Sequence, residues 1–80
     1  MTKQAFREAQ RIAPMGAAGL ERMRQITREH QAAKINEVLI DGYSASAVVQ
    51  VFDRLNEANR EKLLSFPVAK VCSVVFKLIS

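Results

Sequence analysis

His30 is the only histidine in the chain and Cys72 the only cysteine, so the side chains most used as bases, nucleophiles and soft metal ligands occur once each. A zinc site needs three or four such ligands; no metal is expected. His30 shares a helical stripe with Leu20, Met23, Ile26, Thr27 and Ala33. A packed, half-buried imidazole is expected there rather than a general base. Cys72 sits among valines with only Lys70 close in sequence, and burial in such surroundings raises a thiol's pKa and silences it. Gly16, Gly19 and Gly42 match neither glycine-rich phosphate-binding pattern. Glu57 and Glu61, four apart, read as a solvated pair on a polar helix surface. The expectation is a protein that is not an enzyme, with no cofactor and no small-molecule substrate.

The residues that do cluster are cations. Residues 1–34 carry Lys3, Arg7, Arg11, Arg22, Arg24, Arg28 and Lys34 against Glu8, Glu21 and Glu29, while residues 35–80 hold equal numbers of each sign. The whole formal charge of +4 therefore lies in the leading part. Lys3, Arg7 and Arg11 recur every fourth position on one helix, and Arg22, Arg24 and Arg28 fall on the next. Clustered cations suit phosphates without further chemistry and suit an acidic protein surface equally well. These six residues are the expected contacts for a partner protein or a nucleic acid.

A reading of base sequence is harder to find. The run from residue 34 to 55, with Gly42 as its turn, resembles a helix-turn-helix in outline. Glu37 and Asp41, however, fall where that motif packs apolar side chains. Its second helix would expose Ser44, Ser46, Gln50, Asp53 and Arg54, with one arginine to meet base edges.

Positioning these residues takes helices. The apolar spacing predicts an all-α fold, a small bundle of four to five helices over about residues 3–13, 17–40, 45–55, 57–64 and 67–79. Thr2 is a plausible cap for the first, Pro14 ends it, and residues 14–19 form a hinge that leaves residues 1–13 a mobile basic helix. Beyond Lys34 the apolar positions Ile35, Val38, Leu39 and Ile40 leave the face of the second helix, which implies a bend or contact from two sides. Gly42 reads as the stop that closes it, and Ser44 as the cap of the third. Residues 56–64 either extend that third helix or start another. Ser65 with Pro67 has the pattern of a capped helix start.

The last segment decides the expected assembly. Val68, Val71, Cys72, Val75, Leu78 and Ile79 share one face of a helix over residues 68–79, Val74 and Phe76 widen it, and Lys70, Ser73 and Lys77 leave a narrow polar strip. A strand is the competing reading, because valine favours sheets. As a helix it must be covered almost all round. A chain of eighty residues buries only about 60% of its unfolded surface, and with neither disulfide nor metal available self-association is the remaining device. A homodimer through Val68, Val71, Val75, Phe76, Leu78 and Ile79 follows as the expectation. No apolar leader is visible at the amino terminus, and residues 63–79 are too short and too interrupted for a membrane span, so a cytoplasmic protein is expected. The function expected is a self-associating protein-protein interaction module, an adaptor, regulator or inhibitor. The alternative is a nucleic-acid-binding regulator using the basic amino-terminal helices.

Overall fold

The computed structural model describes residues 2–79. Five helices carry most of the chain: α1 (Lys3–Ile12), α2 (Gly16–Glu29), α3 (Gly42–Arg54), α4 (Glu57–Leu64) and α5 (Val68–Ile79). Between α2 and α3 lies a two-stranded antiparallel hairpin, β1 (Ala33–Ile35) and β2 (Val38–Ile40). The fold is mostly helical but not all-α.

The helix expected over residues 17–40 ends at Glu29. His30 takes the left-handed conformation, φ 56°, and its N–H donates to the Ile26 carbonyl at 2.9 Å, the closure that glycine more often supplies. His30 is exposed at this helix end rather than packed on the stripe. The apolar positions that left the α2 face belong to strands, whose side chains alternate. Ile35 and Ile40 are buried, while their neighbours Lys34 and Leu39 pair across the ladder and face outward. Asn36 and Glu37 form the two-residue turn with φ of 49° and 64°, the sense of turn whose twist matches that of paired strands.

Gly42 begins a helix instead of stopping one. Asp41 is the N-cap, its Oδ1 accepting the Ser44 N–H at 2.7 Å, which places Ser44 inside the first turn rather than at the cap. Strand β2, not a helix, leads into Gly42, so the helix-turn-helix outline dissolves. Residues 45–64 are two helices, because Leu55 is extended and the Asn56 Oδ1 caps α4 by accepting the Asn59 N–H at 2.9 Å. Ser65 closes α4, its hydroxyl donating to the Lys62 carbonyl at 2.6 Å, and does not cap α5. Arg60 reaches back from α4 to the end of α3, where its Nε and Nη2 donate to the Phe52 and Asp53 carbonyls at 3.0 and 2.8 Å. The Phe52 carbonyl also takes the Leu55 N–H at 3.1 Å, so Arg60 adds a second donor there and supplies one to Asp53 at the end of the helix.

The core is a layer of α2 against α3, with α5 laid on α3. Leu20, Met23 and Ile26 of α2 meet Ala45, Val48 and Phe52 of α3; Val68, Val71 and Val75 of α5 close the other side with no exposure at all. Their spacing of three and four is a single helical stripe, and burying each valine contributes about 1.5–3 kcal/mol. Residues 68–79 are thus helix, not strand, but covered along one stripe only. Leu78 is 62% and Ile79 49% exposed, since α5 packs mainly on α3 through its valine stripe. At the other end of α5 the segments flanking it and α2 meet. The Met15 N–H donates to the Phe66 carbonyl at 2.8 Å, beside an isolated bridge between Pro14 and Pro67, and the Met15 side chain is buried.

Candidate interaction surfaces

α1 buries none of its residues. The Thr2 Oγ1 caps it by accepting the Ala5 N–H at 3.1 Å. At 100° per residue, Ala5, Phe6, Ala9 and Ile12 fall on one arc and Lys3, Arg7 and Arg11 on the opposite one. The apolar arc is open: Phe6 is 53% and Ile12 74% exposed. The first turns of α1 overlook the hairpin tip, where Thr2, Lys3, Phe6, Arg7 and Glu37 line a shallow groove.

The six expected contact cations divide into three groups. Lys3, Arg7 and Arg11 share the polar face of α1, all exposed. Arg22 lines a second groove with Lys34 and Asn36 of the hairpin. Arg24 and Arg28 are committed to carboxylates. Arg24 forms a two-pronged pair with Asp53 of α3, and Arg28 lies 3.6 Å from Glu21 in an exposed pair, a kind of contact that contributes little. The guanidinium of Arg24 holds the Asp53 carboxyl below the usual carboxylate range by direct hydrogen bonding. Lys34 belongs with Arg22, which its membership of the basic third hinted at and the helical reading of residues 17–40 concealed.

Of the six residues expected to carry self-association, Val68, Val71 and Val75 are enclosed in the chain's own core. Phe76 is half-buried and stacks on Tyr43, ring centroids 6.2 Å apart and 13° from parallel. Leu78 and Ile79 reach the surface in separate grooves. Leu78 lines one of about 350 Å³ with Leu55, Leu63, Phe66 and Val74; Ile79 lines another with Tyr43, Val51 and Arg54. Neither groove was visible in the sequence, because the first joins α4 to α5 and the second α3 to α5, and both depend on how those helices cross.

Cys72 is half-buried, and burial pushes its thiol up, with the charge of Asp41 adding to the effect. Among the described residues no three of His, Cys, Asp and Glu come together as metal ligands would, and no helix is long and apolar enough to cross a membrane. No family model, curated protein or solved structure matches the chain.

Proposed function

We propose that the protein is a non-catalytic interaction module that offers α1 as a docking helix to a partner protein whose groove has an apolar floor and an acidic rim. The observation that carries this reading is the open apolar face of a well-capped helix, Phe6 at 53% and Ile12 at 74% exposure, with Lys3, Arg7 and Arg11 along its other side. Ala5, Ala9 and Ile12 stand at i, i+4 and i+7, and Phe6 and Ala9 at i and i+3, the spacings by which helices seat in grooves. Covering the exposed parts of Phe6 and Ile12 would add about 1–2 kcal/mol each, a fraction of the value for full burial, while the three cations steer approach and register. A dimer through α5 has less to work with, since its three best-packed valines fill the chain's own core.

The test starts from affinity purification with the full chain, followed by reconstitution with the purified partner. Phe6→Asp with Ile12→Asp is expected to weaken the reconstituted complex at least about tenfold, roughly 1.4 kcal/mol, and Arg7→Glu with Arg11→Glu to slow association and blunt its salt dependence. A partner that binds these variants as well as the parent chain overturns the reading. Co-purified nucleic acid, held through Arg22 and Lys34 with an affinity falling steeply with salt, replaces it with the nucleic-acid alternative.

A further inference from the structure

The groove lined by Leu78 belongs to a different face from the α1 docking helix, and its chemistry is more specific than its apolar character alone. Leu63 is buried and forms its floor, while Leu55, Phe66 and Val74 are half-buried around it and Leu78 stands at its open edge. Its volume is about 350 Å³; a cavity of about 150 Å³ accepts a benzene ring, so two apolar side chains fit. Lys62 is the one charged residue among the described residues that line it. A second ammonium stands beside it, because Lys70 Nζ lies 4.6 Å from the centre of the Phe66 ring. No carboxylate among the described residues lines the groove.

We propose that this groove, between α4 and α5, is a docking site for an amphipathic helix whose apolar residues are flanked by carboxylates. Charge complementarity selects that occupant. The amphipathic helix of a second copy, α1, has apolar residues at groove-filling spacing, but they are flanked by Lys3, Arg7 and Arg11, which would meet Lys62 and Lys70 with like charge. Juxtaposed like charges are the device by which interfaces reject wrong partners. An acidic helix meets the opposite condition: its apolar residues cover Leu78 and Val74, and its carboxylates face the two ammonium groups.

The probes are two synthetic helical peptides with the same Leu and Phe positions, one flanked by Glu and the other by Lys, titrated into the isotope-labelled full chain and followed by backbone amide shifts. The Glu-flanked peptide is expected to shift Leu55, Leu63, Val74 and Leu78 saturably, and the Lys-flanked peptide to bind at least about tenfold more weakly. Lys62→Glu with Lys70→Glu should reverse that preference. Leu78→Asp should abolish binding of both without lowering Tm, because Leu78 is exposed. Phe6→Asp with Ile12→Asp should leave the titration unchanged, which separates this site from the α1 proposal. Absence of saturable shifts, equal affinity for both peptides, loss of the titration in the α1 variant, or shifts at these amides on concentrating the protein alone each overturn the proposal, the last by placing a second copy in the groove.

Discussion

Arg24 and Asp53 clasp α2 to α3 with two parallel hydrogen bonds, Nη2 to Oδ1 at 2.7 Å and Nη1 to Oδ2 at 3.2 Å. Residues 29 apart in sequence are joined at the edge of the main helix pair, and both Arg24 and Arg60 carry their guanidinium groups within 6.0 Å of the Phe52 ring centre. The fork geometry is specific to arginine, so the contact sets the register of α2 on α3 as well as adding electrostatic attraction.

Because Arg24 lowers the Asp53 pKa in the folded chain, the pair's contribution is fully present above the unfolded value of an aspartate, about 3.9, and is lost as pH falls through the lower folded value. Asp41, lowered by the Ser44 hydrogen bonds, acts in the same direction. Urea midpoints measured from neutral to acid pH should fall in the parent chain, and fall less in Asp53→Asn and Arg24→Ala. An acid dependence unchanged in both variants contradicts the assignment.

Met23 has no exposure, whereas Phe6 is 53% exposed on a helix with no buried residue. Met23→Ala should therefore cost about 2–5 kcal/mol, while Phe6→Ser should shift the unfolding midpoint by less than about 0.5 kcal/mol equivalent. Chemical denaturation followed by circular dichroism distinguishes the two, and a large loss from Phe6→Ser would show that α1 belongs to the core.

Two glycines should respond with opposite signs. A Cβ at Gly19 would overlap Met15 Cγ inside the core, whereas one at Gly42 meets nothing within 4 Å. Gly19→Ala should cost about 1–3 kcal/mol by overpacking, and Gly42→Ala should gain about 0.4–1 kcal/mol by restricting the unfolded chain. Thermal melts of the two variants read this directly.

Glu37 occupies the hairpin turn at φ 64°, where a side chain costs about 1–2 kcal/mol and Asn-Gly is the preferred pair. Glu37→Gly should raise stability by about 1 kcal/mol, after allowing for the freer unfolded chain. A lower midpoint would mean that the Glu37 side chain contributes more than its backbone conformation costs.

Cys72 should react slowly with a thiol reagent at neutral pH, because only the thiolate attacks and burial raises its pKa. Its rate should keep climbing with pH beyond the point where a free thiol levels off. Labelling as fast as in urea-unfolded protein would contradict the burial.

The helices were legible where apolar spacing and caps agreed. Leu20, Met23 and Ile26 marked α2, Val48 and Phe52 marked α3, and Val68, Val71 and Val75 marked the buried stripe of α5. The hairpin was not, because three-residue strands offer a single alternation each and Asn36-Glu37 lacks the glycine that advertises such a turn. His30 hid the end of α2 by doing the work of a glycine. Gly42 then misled in the reverse sense, sitting after the real cap, Asp41, instead of after a helix. Of the candidate surfaces, the α1 face was visible as periodicity. The pairing of Arg24 with Asp53 and the groove of Leu63, Phe66 and Leu78 were not, since both depend on how distant helices cross.

The hydrogen bond from Met15 to Phe66 has a modular consequence. The side chain of Met15 is sealed inside while α1 holds no buried residue, so the core begins at Met15. Helix α1 is an attachment that rests on α5, and another leading helix grafted ahead of Pro14 would have to reproduce that contact.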